Sequence, residues 1–270
     1  MNWRRIALIT VFDLRCSVLR LKGLIFLLPF FLFWYLLLRE FYDGIATRLQ
    51  SSEVLMLLSA KFDMDLIARL LVDHPPSLSA FFIFGLYSTP FFAVLAANDS
   101  FASDLGNGYF RFLTARCQRI EIFLGRYLST ITLLAAALSV VAVAAGLISI
   151  FIEGYAFSHV LLYAIQITSV LILYTAPHLA YMTIISSMFN SAIAALFLGM
   201  LAYISIVFSI FILNILFSET NSFAYLLPSS VKASLIGDDG FAFAVAITSL
   251  PAYTLIFAWL GWGIFRKRNF

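Results

Sequence analysis

The side chains able to do chemistry are concentrated in one stretch, NDSFASDLGNGYFRFLTARCQRIEIFLGR, residues 98–126. It sets Asp99, Asp104 and Glu121 beside Arg111, Arg116, Arg119 and Arg126, with Gly106 and Gly108 between them. Carboxylates and guanidinium groups in one short segment supply ion pairs, and the plainer reading is a positive-inside loop with ordinary turn chemistry. They supply no nucleophile with its base and no set of metal ligands. His74, His159 and His178 are far apart in the sequence, and the spacing of Cys16 and Cys117 matches no metal motif. The chain has no G-x-x-x-x-G-K-[ST] phosphate loop, no H-E-x-x-H and no G-x-S-x-G. A second, smaller group, Tyr174, His178 and Tyr181, lies in a run that is otherwise apolar. Ionisable groups in such a run suit either a transport pathway or a hydrogen bond between packed helices.

The elements that carry these residues follow from composition. The 270 residues are 63% hydrophobic, 17% aromatic and only 11% charged, and the mean hydropathy is +1.00. Soluble domains carry about 25% charged residues. A bilayer core of about 30 Å needs about 20 apolar residues per helical span, and runs near 23–39, 79–97, 123–150, 159–186, 192–217 and 241–265 meet that length. They are continuous, whereas strands of a membrane barrel alternate polar and apolar residues. The expected fold is an all-α integral membrane protein of six transmembrane helices, one transmembrane domain over residues 1–270.

Four segments flank the spans. Residues 1–22 place Trp3, Ala7, Val11, Leu14, Val18 and Leu21 on one face of a helical wheel and Arg4, Arg5, Asp13, Arg15, Arg20 and Lys22 over the other. This predicts an N-terminal amphipathic helix lying in the membrane interface, with an ordinary basic flank as the plainer reading. No small-residue cleavage site follows it, so no cleaved signal peptide is expected. Residues 40–78 repeat Leu55, Leu58, Phe62, Leu66 and Leu70 at helical spacing. They suit a helix that docks an extracytoplasmic partner, caps a path or simply lies among headgroups. Residues 218–240 are broken at Pro228. Residues 98–122 form the charged loop itself, in which Asn98-Asp99-Ser100 can cap a short helix and Gly106 and Gly108 allow a sharp turn.

Orientation follows from lysine and arginine. With six spans, both termini share a side with residues 98–122 and 187–191, and that side holds Arg4, Arg5, Arg15, Arg20, Lys22, Arg111, Arg116, Arg119, Arg126, Arg266, Lys267 and Arg268, twelve of the 17 basic residues. That side is expected to be the cytoplasm, where Cys16 and Cys117 remain reduced.

The order of residues in the charged loop resembles the signature of type-2 ABC exporter permeases. Asp104 stands near that family's acid, Gly108 at its glycine, Phe112-Leu113 at its leucine pair, Arg119 at its arginine, and Gly125-Arg126 at its Gly-Lys. Tyr109 replaces a threonine, a proline is missing, and Arg126 replaces a lysine. IISSMFNSAIAALFLGM, YLLPSSV and FRKRN resemble further family segments, so the likeness extends over nearly the whole chain.

The resemblance implies a permease subunit in a bacterial inner membrane. Its loop between spans two and three forms a cytosolic coupling helix, through Asp99, Asp104, Gly108, Arg111, Arg116, Arg119 and Glu121, seated in a cleft of a separate ABC ATPase. Phe101, Leu105 and Phe110 would fill that cleft. The chain itself would be no enzyme and bind no cofactor, ATP and Mg being held on two ATPase copies. A second permease copy or a paralogue would complete the exporter. Membrane lipid surrounds it, and no nucleic-acid partner is expected. A stand-alone carrier or channel is the alternative, although almost no charge lies within the spans away from their ends; an intramembrane enzyme is a third reading.

Overall fold

The structure, a computed structural model, describes residues 2–19, 21–42, 73–216, 225, 227–237 and 239–268. The described part of the chain is helical and contains no strand. Six of its helices are long and apolar enough to cross a bilayer, which makes the chain a multi-pass membrane protein. Helix α1 covers Trp3–Leu19 and α2 covers Leu21–Tyr42. Helix α3 is Pro76–Ala97, followed by two five-residue helices, α4 (Ala102–Gly106) and α5 (Phe110–Thr114). Three long helices come next: α6 (Arg119–Phe151), α7 (Phe157–Met188) and α8 (Ala192–Leu216). A 3-10 turn at Pro228–Val231 runs into α9 (Lys232–Ile236), and α10 (Gly240–Lys267) is last. The spans expected from the sequence correspond to α2, α3, α6, α7, α8 and α10. The repeat of leucines expected at 55–70 lies outside the described residues.

Helix α7 is the central element and packs on α3, α6, α8 and α10. Helix α3 is the most enclosed span, buried along most of its length. Pro76 begins it, where a missing N–H costs nothing because the first turn has no acceptor for it. Against α3 lies a stripe of α2 at four-residue spacing, Phe26, Phe30, Trp34 and Leu38. Its rings meet those of α3 edge-on or tilted, Phe30 to Phe92 at 4.9 Å and Trp34 to Phe81 at 5.0 Å between centroids. Such arrangements favour aromatic pairs beyond the area they bury. By contrast α8 and α10 leave large apolar side chains uncovered, among them Phe197, Leu201, Phe208, Val245, Leu255 and Trp259. In water that would be an aggregation surface; a bilayer covers it at no cost.

The packed face of α1 differs from the one the helical wheel selects. Trp3, Val11 and Val18 are exposed, whereas Ile6 is buried and Ile9, Thr10 and Asp13 are half-buried against α6. The reason is steric. Gly125 lets α1 come so close that a Cβ there would fall 2.7 Å from Ile9 Cγ2, and Thr10 donates to the Gly125 carbonyl at 3.0 Å. A second face of mixed polarity therefore fixes α1 to α6, while of the apolar stripe Leu14 packs on the core and Trp3, Val11 and Val18 are left uncovered.

The two ends of the bundle are distinct. At one end α1, the α3–α6 connection, the turn after α7 and the end of α10 are in mutual contact. At the other, Glu153 accepts from the Ser77 backbone N–H at 2.9 Å and from its hydroxyl at 2.5 Å.

Candidate functional site

The charged loop folds as a compact hairpin. Asp99 accepts from the Ser103 N–H at 3.1 Å, holding the first turn of α4. Gly108 has φ of +66°, the left-handed region that glycine enters without strain, and turns the chain from α4 into α5. The underside of the hairpin is aromatic. Phe101, Phe110, Ile122, Phe123 and Phe265 are all buried, with ring centroids 5.1 Å apart for Phe101 and Phe265 and 5.4 Å apart for Phe110 and Phe265. Phe101 and Phe110 thus fill this chain's own core and are not available to a partner's groove; Leu105 packs beside them, half-buried. Sequence cannot distinguish an aromatic that faces inward here from one meant for a neighbouring protein, since both need the same side chain.

Arg126 stands behind the hairpin, two turns into α6. It is only 7% exposed. One guanidinium nitrogen pairs with Asp104, another donates to the Ser100 carbonyl at 2.6 Å, Nε lies 3.5 Å from Asp13, and the group sits 4.8 Å over the Phe110 ring. The planar fork of arginine reaches three elements at once, which a lysine ammonium would do poorly. Burial pushes the Asp13 carboxyl above the ordinary aspartate range, and Arg126 opposes that shift.

The remaining charged residues of the loop divide into two groups. Glu121, 1% exposed, accepts from the Gln118 N–H at 3.0 Å and from the Asn2 N–H at 2.6 Å, and lies 3.7 Å from Arg5. It closes the start of α6 and ties the N-terminus to it. Arg119 donates to the carbonyls of Arg266 and Arg268 at the end of α10. Arg268 does the same for α7 through Ser187 and Met188 and also bonds Asn190. The last carbonyls of a helix have no partner within it, so these arginines cap one helix from another. Arg111 and Arg116, in contrast, are exposed, together with Tyr109 and Phe112, the latter at 74%. The outer surface of the hairpin is therefore basic and aromatic.

The second group predicted from sequence also comes together. Tyr174 and His178 are buried one helical turn apart, with rings 4.8 Å apart, and Tyr181 is half-buried nearby. Tyr203 from α8 joins them, 6.3 Å from His178 and 6.0 Å from Tyr181 between centroids; no periodicity in the sequence singled it out. His178 Nδ1 lies 2.9 Å from the Tyr174 carbonyl. A carbonyl only accepts, so Nδ1 carries the hydrogen and Nε2 of the neutral ring is left as an acceptor. Among the described residues His178 Nε2 and the hydroxyls of Tyr174 and Tyr181 have no hydrogen-bond partner.

At the opposite end the fold pairs two histidines that the sequence separates. His74 stacks on Tyr163 at 4.3 Å, and His159 lies 6.0 Å from it. Burial and the neighbouring His159 both lower the His74 pKa. Among the described residues no three His, Cys, Asp or Glu gather where a metal ion could be held.

A protein-family model described as "Protein of unknown function (DUF2705)" matches residues 73–270, most of the chain. No curated protein matches it.

Proposed function

We propose that this chain, which belongs to the DUF2705 family, is the six-span permease subunit of an ATP-driven exporter. Its two short helices α4 and α5 would be the contact with a separate cytosolic ATPase. The observation that carries the reading is the construction of the hairpin: its inner surface is anchored in a buried aromatic cluster, and its outer surface presents Tyr109, Arg111, Phe112 and Arg116. A mobile topological loop would need no such anchoring. A lever needs it, because force applied to α4 and α5 must reach the spans without being absorbed in between. Arg126 and Phe265 provide that route, into α6 and α10 respectively. ATP-driven closure of two ATPase copies would then rock the spans, with ATP and Mg bound on those subunits and not here. The basic end of the bundle would face the cytoplasm of a bacterial inner membrane, with α1 in the interface. The exposed faces of α8 and α10 leave room for lipid and for a second permease copy or a paralogue.

The test is co-purification with ATPase from native membranes. Arg111→Glu combined with Arg116→Glu should abolish recovery of the ATPase while the permease keeps its yield and monodispersity. Recovery undiminished by the double substitution would sink the assignment of the hairpin. Recovery of wild-type chain with no ATPase after mild extraction would sink the permease reading as a whole.

A further inference from the structure

Between α1, the start of α2, the end of α3 and α6 there is a cleft of about 370 Å³. Its lining joins the charged Asp13, Asp99, Asp104 and Arg126 to an apolar side formed by Phe26, Leu95 and Leu133. Asp13 and Asp104 share the single guanidinium of Arg126, so this trio alone keeps one formal negative charge. Arg126 has the opposite need at one atom: its side chain is 8% exposed, and Nε, though 3.5 Å from Asp13, makes no hydrogen bond among the described residues. An unsatisfied buried donor asks for an acceptor. With two carboxylates on one guanidinium, the ionised pair asks for a second cation.

One ligand meets both demands and the apolar wall as well. We infer that this cleft seats the headgroup of a bilayer aminophospholipid, with its ammonium toward Asp13 and Asp104, a phosphate oxygen accepting from Arg126 Nε, and its acyl chains along Phe26, Leu95 and Leu133. A phosphate and an ammonium joined by two carbons carry both charges within a few ångströms, on the scale of the charged lining. Phosphatidylglycerol would bring a phosphate and no cation, and a free amine would leave Arg126 and the apolar wall unused. The inference does not depend on the permease reading, since it concerns a lipid site on the chain itself. Its consequence is structural. A lipid held there would bridge α1 to the 98–109 segment, so that bilayer composition would set how firmly the hairpin is held.

Native mass spectrometry of the full chain, exchanged into micelles doped in turn with phosphatidylethanolamine, phosphatidylcholine and phosphatidylglycerol, tests this. One ethanolamine lipid per chain should be retained at least five-fold more than the glycerol lipid. The choline lipid should be retained less than the ethanolamine lipid, its trimethylated nitrogen having no N–H to donate. Asp13→Asn should lower ethanolamine-lipid retention at least three-fold without changing that of the glycerol lipid. Equal retention of ethanolamine and glycerol lipids by the wild-type chain would overturn the proposal even if the variant failed to fold. Binding of water-soluble glycerophosphoethanolamine as tightly as the whole lipid would overturn the bilayer as the source.

Discussion

Arg126 and His178 are both ionisable, both buried and both set in apolar surroundings, yet their surroundings answer them differently. Arg126 is met by two carboxylates, a backbone carbonyl and an aromatic face, and of its nitrogens Nε alone lacks a hydrogen bond among the described residues. His178 is met by one carbonyl of its own helix, and its second nitrogen faces tyrosines that do not bond it. Breaking a well-met charge is costly because its former partners are left buried with nothing to neutralise them. Removing a poorly met polar group costs little, because there is little to lose. The first arrangement holds parts together, and the second leaves capacity for something that comes and goes. On the proposed permease reading, the contrast gives architecture to the basic end and would leave the centre of α7 to the transported solute.

The largest effect should come from Arg126→Leu, which strands Asp13 and Asp104 beside each other. Breaking a buried pair costs about 3–5 kcal/mol, and because both carboxylates keep some exposure we expect the lower end, about 3 kcal/mol. The thermal midpoint of the detergent-solubilised chain, followed by loss of the monodisperse peak, should fall by many degrees, with Arg126→Lys in between. An unchanged midpoint would erase the contrast with His178.

Within the hairpin, Phe110→Ala opens the buried aromatic cluster and should cost about 3 kcal/mol in the same assay. Phe112→Ala, on the exposed surface, should cost less than about 0.5 kcal/mol and act only on ATPase recovery. If the two substitutions proved equally destabilising, the division of the hairpin into an anchored and an offered surface would be wrong.

His178→Leu sharpens the other side of the comparison. Stability should change by no more than about 1 kcal/mol, while ATP-dependent transport in reconstituted vesicles, measured with whatever solute the complex moves, should drop several-fold. Full transport with full stability would make the His178 group mere packing.

The smallest effect concerns pH. Burial raises the Asp13 carboxyl above its ordinary value, so the folded chain binds this proton more readily than the unfolded chain does. Its contribution to stability is present at low pH and lost as pH rises through the raised pKa. Asp13→Asn should therefore flatten the fall in thermal midpoint between mildly acidic and neutral buffer. A slope identical in wild type and variant would remove Asp13 from the account.

The spans were readable because a bilayer imposes a length and a polarity that composition alone reports. The hairpin was readable as a unit, since Asp99 holds the first turn of α4 and Gly108 makes the turn that its missing side chain allows. Direction was not readable. Asp104, Arg119 and Glu121 look from sequence like surface charges but pair with Arg126, the end of α10 and the N-terminus, partners at least 22 residues away in sequence. The packed face of α1 was hidden for a related reason. A wheel ranks residues by hydrophobicity, while the contact was decided by a glycine on another helix that lets Ile9 approach. Long-range pairing and close approach are properties of two segments together, and a pattern within one segment does not contain them.

The chain has only two cysteines, both unpaired and half-buried. Cys16 borders the cleft on α1, and Cys117 adjoins the aromatic base of the hairpin. Two thiol handles thus sit at one end of the bundle, flanking the hairpin that the proposed ATPase contact would move. A membrane-impermeant maleimide applied to sealed vesicles of known orientation reads that end without engineering a residue, and a spin-label pair at the same two sites would serve as a ruler across the hairpin during turnover.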